Sequence, residues 1–358
     1  MRPHVLVARQ DSLGDVLLAG PAVRAVAAGA SRVTLLCGPR GQAAAKLLPG
    51  VDDILVQEAA WIDADPAPVR REAVDRFVDQ LTRRRIDVAI VLTSFHQSPL
   101  PLALLLRMAK VATIGALCED YPGSLLDVRH RIDEATNLHE VERALSLAAA
   151  MGYRLPRGDD RRLAIHRDGA DIRNGRRPYV VVHPGASVAA RAWAPERHAA
   201  LVEALAGRGW AVVVTGAARE RELTARVAGS PRPQAGVVDL GGRVDLAGLA
   251  EVLAGAAAVV VGNTGPAHLA AAVGTPVVSL FAPTVPAVRW RPWGVPHVLL
   301  GDQEAPCAGS RARVCPVVGH PCLNQVGVEQ VLAALDDLLR PAPQPPAEAP
   351  DPLGVASR

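Results

Sequence analysis

The feature that most constrains this chain is its regular alternation of two kinds of segment. Short runs of Val, Ile, Leu and Ala end at Gly, Pro or polar loops, and longer Ala- and Leu-rich segments with helical spacing follow them. Continuous apolar runs indicate strands buried on both faces, and strands that alternate with helices indicate a parallel sheet. The predicted fold class is therefore α/β, with helices covering both faces of each sheet.

The alternation occurs twice, on either side of a segment rich in Arg, Asp and Gly. The first half is predicted to contain strands at residues 4–8, 33–36, 54–56, 87–92 and 111–114 and helices at 16–28, 42–48, 69–84, 100–109 and 137–151. The second half is predicted to contain strands at 179–183, 211–215, 237–240, 258–261 and 276–281 and helices at 195–206, 220–227, 246–253, 266–273 and 328–339. Two Rossmann-like domains, 1–152 and 178–340, are expected to face each other across a cleft, with a linker at 153–177 and a disordered Pro-rich tail at 341–358.

Composition excludes several classes of protein. Of the 358 residues 49% are hydrophobic and the net charge is +3, so neither a disordered chain nor a nucleic-acid binder is predicted. No apolar run approaches the roughly 18–20 residues of a membrane span. Five cysteines, an odd number, do not indicate a disulfide scaffold, and the chain starts with a strand rather than a signal peptide. A cytoplasmic protein is expected.

Ligands of such sheets bind at the carboxyl ends of the strands, and the loop after the first predicted strand contains Ser12, Gly14 and Asp15. Gly14 allows a tight turn beside a ligand. Asp15 at the start of the next helix either stabilises the helix dipole or faces the cleft as a general base. The dinucleotide fingerprint G-x-G-x-x-G is absent here, which argues against NAD or FAD.

The second half carries two loops suited to a nucleotide. After its first strand come Gly185, Ser187 and Arg191, where small residues admit an anion and Arg191 can pair with a phosphate; an ordinary β–α loop is the alternative. After the next strand come Gly216 and Glu220. Glu220 either accepts hydrogen bonds from a ribose or is simply a first-turn helix residue.

The sharpest local signal is the segment from Asn263 to His268. Asn263 or Thr264 can cap the following helix, and Pro266 suits its first turn. With Gly265 next to the cap, free backbone N–H groups would be directed into the cleft, which is a phosphate site. His268 lies one turn further on and is either a core residue or part of the site.

Acceptor-side residues are expected in the first half, where Ser94 and His96 follow a predicted strand and join Ser12 and Gly14 as candidates. Residues 289–293 either contact substrate or pack. No metal site is predicted: Cys307, Cys315 and Cys322 do not have zinc-ribbon spacing, and the Asp63–Asp65 pair does not follow a strand. The role of the three cysteines stays open.

Taken together, these segments resemble glycosyltransferase family 9, the heptosyltransferase family that adds ADP-heptose to the lipopolysaccharide inner core. The resemblance is carried, in family order, by 12–16 (SLGDV), 183–187 (HPGAS) with 193–195 (WAP), 240–246 (LGGRVDL) and 264–270 (TGPAHLA), and it covers roughly residues 4–340. It implies a GT-B architecture, with the acceptor on the first domain and the nucleotide-sugar on the second.

The resemblance also implies an inverting, metal-independent transfer without a cofactor. Asp15 matches the family's general base, and Ser187, Arg191 and the helix start at Thr264 would stabilise the leaving diphosphate. Glu220 matches the ribose contact, and Val244 is placed where the adenine pocket is expected. A lipid-linked acceptor would bring the enzyme to the inner membrane face; a glycan or a small molecule is equally open as acceptor.

Two positions depart from the family pattern. Asn263 stands where the family commonly has Asp, so a negative charge is missing from the sugar pocket and the identity of the transferred sugar stays open. Arg191 stands where the family usually has Lys, which keeps the charge and changes its geometry. Two alternatives follow: an epimerase-like enzyme of the same architecture, or a nucleotide-sugar binder without catalysis.

Overall fold

The computed structural model of the chain describes residues 2–63, 65–133, 136–167, 169, 178–229 and 236–340. The first half contains β1 (His4–Arg9), α1 (Leu13–Leu18), α2 (Gly20–Gly29), β2 (Arg32–Cys37), α3 (Gln42–Ala45), β3 (Asp53–Val56), α4 (Arg71–Arg84), β4 (Val88–Val91), α5 (Leu100–Met108), β5 (Thr113–Leu117), β6 (Val128–His130) and α6 (Glu140–Ala150).

The second half repeats the pattern. It contains β7 (Tyr179–His183), α7 (Pro195–Gly207), β8 (Ala211–Val214), α8 (Arg221–Val227), β9 (Val237–Asp239), α9 (Leu246–Gly255), β10 (Ala258–Gly262), α10 (Gly265–Ala272), β11 (Val277–Leu280), α11 (Ala287–Trp290), β12 (His297–Leu300), α12 (Pro321–Asn324) and α13 (Val328–Leu339). Within the described ranges, no helix is both long and apolar enough to cross a bilayer.

Each half forms a six-stranded sheet whose neighbouring strands are all parallel. The strand orders are β3-β2-β1-β4-β5-β6 and β12-β11-β10-β7-β8-β9, which are the same Rossmann order in the two halves. The predicted α/β class is therefore confirmed. Strand order reverses between β1 and β4 and between β7 and β10, and ligands of such sheets bind at these switch points.

Local sequence explains the strands. All five residues of β7 and all five of β10 are buried, because both strands are covered by helices on both faces. The edge strands β6 and β12 were not predicted, since β6 has a polar Val-Arg-His sequence and every residue of β12 is half-buried. The other two edge strands, β3 and β9, were predicted, because each has a short apolar run.

Three predicted helices differ from the observed ones by three residues or more. The helix predicted at 42–48 ends at Ala45, as α3. The helix predicted at 16–28 is divided into α1 and α2, because the chain turns at Ala19 and α2 begins at Gly20, with Pro21 in its first turn. The helix predicted at 137–151 begins only at Glu140. His139 caps it by accepting a hydrogen bond from the backbone N–H of Val141, so the residues before His139 are not helical.

The described part of the predicted linker contacts both halves. Arg24 of α2 forms two hydrogen bonds to the Asp159 carboxylate, at 2.7 and 2.8 Å. Arg167 pairs with Glu251 of α9 at 2.7 Å. Residues 168 and 170–177, and the tail predicted to be disordered at 341–358, lie outside the described residues.

The two halves meet most closely where α1 crosses α10. A Cβ on Gly14 would lie 2.7 Å from Cδ2 of His268 and 3.4 Å from Cα of Gly265. A Cβ on Gly265 would lie 2.6 Å from Cδ2 of Leu13. One continuous apolar core, with Leu17 from the first half and Leu269 from the second, surrounds this contact. Glycine is needed at position 14 because a side chain would separate the two helices.

Replacing Gly14 by Ala should therefore destabilise the protein. The added methyl group overlaps the buried His268 ring, and overpacking of this kind costs about 1–3 kcal/mol. Urea unfolding of G14A should show this loss. Gly207, the last residue of α7, has nothing within 4 Å of an added Cβ, so G207A should gain about 0.4–1 kcal/mol. Equal stability of the two variants would contradict this account of the helix contact.

Candidate active site

A buried charge cluster lies at the carboxyl end of β1. The Arg9 guanidinium is 3% exposed, and its Nη2 lies 3.0 Å from Asp11, 3.1 Å from Asp15 and 3.1 Å from Glu140. The same nitrogen donates to Ser94 Oγ at 2.9 Å, just after β4. Burial alone would lower the pKa of Arg9, but the three carboxylates raise it above its usual value. Arg9 is therefore permanently charged and joins four segments of the first half.

Asp15 is the member of this cluster that reaches the cleft, with 14% of its side chain exposed. Ser12 is the N-cap of α1, and its Oγ and backbone N–H donate to Asp15 Oδ2 at 2.7 and 3.2 Å. Burial would raise the pKa of Asp15, but Arg9 and the hydrogen bonds from Ser12 and Trp290 lower it to about 2. Asp15 is thus fully ionised at neutral pH.

Glu140 and Asp11 complete the cluster. Glu140 begins α6 and also faces Arg143 at 3.2 Å, and Asp11 accepts a hydrogen bond from Ser94 Oγ at 2.8 Å. Burial raises the pKa of both carboxyl groups, against the effect of Arg9. Sequence analysis assigned no role to Arg9 or Glu140. The sequence feature that could have identified them is a charged side chain next to an apolar run: Arg9 ends β1, and Glu140 begins α6.

A cavity of about 240 Å³ opens beside this cluster, between the loops that follow β4 and β5. Its lining includes Ser94, Phe95, His96, Gln97, Glu119 and Asp120. Ser94 also uses its hydroxyl within the charge cluster, whereas Phe95 and His96 are exposed at the cavity. The structure thus brings the predicted acceptor-side residues Ser94 and His96 together near Asp15. Ser12 caps the helix that carries Asp15, and Gly14 packs against α10.

In the second half, Gly185, Gly216 and Glu220 come together. A Cβ on Gly185 would lie 2.5 Å from a carboxylate oxygen of Glu220, and one on Gly216 would lie 3.3 Å from the Glu220 Cβ. Glu220 accepts a hydrogen bond from the backbone N–H of Ala217 at 2.8 Å. The two glycines therefore make space for a carboxylate at the ends of β7 and β8. Ser187 is exposed in the same loop system, and Val244 is half-buried before α9.

The start of α10 presents unsatisfied polar groups. Asn263 and His268 are 5% and 3% exposed, and among the described residues Asn263 Nδ2, Thr264 Oγ1 and His268 Nδ1 have no hydrogen-bond partner. Thr264 is the N-cap residue, but its side chain does not cap the helix. Buried polar groups without partners are costly, so this end of α10 is suited to a polar ligand.

Arg191 lies next to the same region. Its Nε donates to Thr284 Oγ1, in the loop after β11, at 3.3 Å. Burial lowers the pKa of Arg191, and the negative charge of Asp15 opposes this effect. Arg191 is therefore a cation close enough to Asp15 to be affected by its charge, on the opposite side of the cleft.

The segment 289–293, whose role was open, connects the two halves. Trp290 Nε1 donates to Asp15 Oδ1 at 3.1 Å, and the Arg289 guanidinium lies 4.5 Å from the centre of the Phe95 ring. Trp293 stacks on His139, with ring centres 4.5 Å apart. The segment packs against the first half and contacts the Asp15 carboxylate directly.

Neither the cysteines nor a second cavity adds to the site. Cys307 and Cys322 are buried, Cys315 is partly buried, and all three are free thiols. Burial raises the pKa of Cys322 to about 11. Among the residues that the structure describes, no group of three or more His, Cys, Asp or Glu side chains is placed to hold a metal ion. A cavity of about 300 Å³ lies at the opposite ends of β7 and β10, away from Asp15.

Two Rossmann-like halves with facing switch points, and polar residues at both, define the GT-B class of glycosyltransferases. The chain belongs to glycosyltransferase family 9 (heptosyltransferase), whose family model matches residues 74–319. It is 31% identical over 344 residues to lipopolysaccharide heptosyltransferase 1 of Pseudomonas aeruginosa, covering 87% of both chains. The chain is therefore a glycosyltransferase.

Solved structures agree on the fold. The structure of E. coli ADP-heptose lps heptosyltransferase II matches with a TM-score of 0.71 at 20% identity, covering 94% of this chain and 98% of that one. E. coli heptosyltransferase WaaC with ADP-2-deoxy-2-fluoro heptose matches with a TM-score of 0.67 at 22% identity, covering 93% and 99%. The expected GT-B architecture is confirmed.

Buried histidines should make stability fall in acid. Burial lowers the pKa of His139 to about 3 and the pKa of His183, His198 and His268 to about 4. In the unfolded chain, histidine has a pKa near 6.5, so the unfolded state binds protons first as the pH falls. Stability from these groups is complete above pH 6.5 and declines toward pH 4, by about 1–2 kcal/mol per histidine at pH 5.

Urea unfolding between pH 7 and 5 measures this decline. His198 contacts the Trp193 ring, with centres 4.8 Å apart, so His198→Phe keeps an aromatic ring there and removes one titrating group. The pH dependence of H198F should be shallower than that of the wild type. An unchanged slope would refute the assignment of a neutral, buried His198.

Proposed function

We propose that this protein transfers heptose from ADP-heptose to a hydroxyl group of a lipopolysaccharide-core acceptor, with inversion at the anomeric carbon and without a metal ion. The observation that carries this proposal is the position of Asp15. It is an ionised carboxylate between the cavity of the first half and the start of α10 in the second half. A base in this place lies between an acceptor and a donor.

In the proposed reaction, the acceptor hydroxyl attacks the anomeric carbon while its proton passes to Asp15. The bond from that carbon to the diphosphate oxygen breaks, and its electron pair leaves with ADP. A carboxylate with a pKa of about 2 is a weak base toward a free hydroxyl. It is sufficient when the new C–O bond is already forming, because the attacking oxygen then becomes strongly acidic. Proton transfer to Asp15 is therefore expected to occur late, after much of the new C–O bond has formed.

Negative charge that develops on the diphosphate would be stabilised by the second half. Arg191 supplies a cation, and the first turn of α10 supplies backbone N–H groups and the positive end of the helix dipole. The unpartnered polar atoms of Thr264 and His268 lie at the same helix end. These groups would take the role that a divalent cation has in metal-dependent transferases.

The nucleotide would lie along the ends of β7 and β8. Glu220, whose carboxylate lies close to Gly185, would accept hydrogen bonds from the ribose hydroxyls. Ser187 and Gly216 would line the diphosphate, and Val244 would contact the adenine. Asn263 presents an amide whose Nδ2 has no partner within the described part of the chain, so it would donate to a hydroxyl of the transferred sugar.

The acceptor would enter the cavity lined by Ser94 and His96. Ser12 would hold the Asp15 carboxylate by its cap hydrogen bonds, and Gly14, which packs against α10, would keep the two halves close rather than contact the acceptor. Heptosyltransferase relatives named for lipopolysaccharide support this class of acceptor. A lipid-linked acceptor would be met at the inner face of the membrane, and we propose a cytoplasmic location for the enzyme.

Asp15→Asn tests the chemistry. The amide keeps the shape of the side chain but cannot take the acceptor proton, so transfer should fall by about 10²–10⁴-fold. ADP affinity, measured by calorimetry, should remain near that of the wild type. Turnover that persists in D15N would contradict the assignment of the base.

Wild-type conversion of ADP-heptose to an epimer would favour the epimerase-like alternative, and ADP-heptose binding without any ADP release would favour the non-catalytic binder.

Calorimetric titration with ADP, UDP and GDP in the presence of EDTA tests the donor site. ADP should bind in preference to the other two nucleotides.

Glu220→Gln should weaken ADP binding by about tenfold, the effect of losing one or two charge-assisted hydrogen bonds. Glu222 is an exposed carboxylate two residues further along, so Glu222→Gln is the matched control and should bind ADP as the wild type does. A requirement for a divalent ion would overturn metal independence.

A further inference from the structure

Hydrogen-bond donors of the protein face all the lone pairs of the Asp15 carboxylate. Oδ1 receives hydrogen bonds from Arg9 Nη2 and Trp290 Nε1, each at 3.1 Å. Oδ2 receives them from Ser12 Oγ at 2.7 Å and from Ser12 N at 3.2 Å. A carboxylate has about four lone-pair sites, and one donor faces each of them. Arg9 Nη2 shares its two hydrogens among Asp15 and its other acceptors, whereas the Trp290 N–H is directed at Oδ1. A hydroxyl can deliver its proton to Asp15 only after one donor has moved away.

Three of these donors are fixed by other structure. The Arg9 guanidinium also pairs with Asp11 and Glu140, and moving it would leave buried charges unpaired. Ser12 is the N-cap of α1, and its Oγ and backbone N–H are both part of a reciprocal cap with Asp15. Displacing either group would break the start of the helix that carries the base.

Trp290 is different. It lies 275 positions further along the chain, in α11 of the second half, and it is only partly buried. Its indole N–H contacts the base from across the cleft. Movement of the second half relative to the first, or a side-chain rotation, would therefore free Oδ1 without disturbing the charge cluster or the helix cap.

The ring of Trp290 also lies beside a residue that lines the acceptor-side cavity. Phe95, which lines this cavity and is 36% exposed, lies 6.1 Å from Trp290 between ring centres, with the planes inclined at 53°. An acceptor that enters over Phe95 approaches Asp15 from the position that the indole occupies. Acceptor entry and the presence of the indole on Oδ1 are therefore in competition.

We propose that Trp290 is a gate on the base: its indole caps Asp15 until an acceptor displaces it. This inference rests on the proposed role of Asp15. With the indole in place, water at the anomeric carbon cannot give its proton to Asp15, so the donor is protected from hydrolysis. When an acceptor displaces it, the acceptor oxygen bonds to the anomeric carbon, its proton goes to Asp15, and ADP leaves with the bonding electrons.

The rate of ADP release from ADP-heptose in the absence of any acceptor measures how well the indole prevents hydrolysis. Trp290→Phe keeps an aromatic ring beside Phe95 and removes the N–H. The rate of acceptor-independent hydrolysis should then rise by about tenfold or more, because the freed Asp15 gives water part of the rate increase that a general base provides. The double variant D15N/W290F should lose this gain, because the hydrolysis depends on Asp15. A purely structural role of Trp290 would not give an increase that requires Asp15.

Trp293→Phe is the matched control. Trp293 belongs to the same segment, but its indole donates to the backbone carbonyl of Arg161 at 2.8 Å and does not contact Asp15. Hydrolysis by W293F should equal that of the wild type. Phe95→Leu provides a second variant at an exposed position; it removes the ring beside Trp290 and should raise hydrolysis by a smaller factor.

The outcomes separate the two proposals. If the wild type binds ADP-heptose and neither W290F nor F95L raises hydrolysis, the gate is wrong and the proposed function stands. If W293F raises hydrolysis as much as W290F does, the effect comes from loosening of the segment and the gate is also wrong. If the wild type does not bind ADP-heptose in calorimetry, the proposed function fails and the gate fails with it.

Discussion

The buried guanidinium of Arg9 is the interaction on which the site depends. Three carboxylates surround it, and Arg143 pairs with one of them, Glu140. Carboxylates this close together cannot all stay ionised in an apolar interior unless a cation neutralises them. For Asp15, the carboxylate nearest the cleft, Arg9 has the largest effect among the groups that keep it ionised, and Ser12 and Trp290 add hydrogen bonds. A single strand-end residue thus sets the state of a side chain on the following helix.

The two halves have the same topology but differ in the charge at the start of the helix that faces the cleft. Each sheet has a switch point, and after each one a helix starts at the cleft, α1 in the first half and α10 in the second. The start of α1 already contains an anion, since Asp15 lies in its first turn. The start of α10 contains no acidic residue in its first turn, and Asn263 before it is neutral. The dipole of α10 is therefore available to an anionic ligand, whereas that of α1 stabilises the Asp15 carboxylate.

Sequence reasoning was successful where the signal is local. The helix that starts beside Asp15 after the first strand and the helix start at Thr264 both follow from short motifs, and the structure has a helix start at each. Arg9, Glu140 and Trp290 were not identified because their roles depend on contacts between distant segments: Glu140 lies 131 positions from Arg9, and Trp290 lies 275 from Asp15. Hydrophobic periodicity indicates which face of an element is buried, and it contains no information on which strand end meets which helix.

The low pKa of Asp15 decides what can regulate such a site. A carboxylate that stays ionised down to a pH near 2 cannot be switched by protonation in the cell. Its charge is constant, so only access to its lone pairs can vary. Access is set by groups that come from the other half, because the donors from the first half are fixed by a helix cap and by buried ion pairs. Close packing of α1 on α10 joins the two halves, and the indole of Trp290 is the donor from the second half that contacts the Asp15 carboxylate.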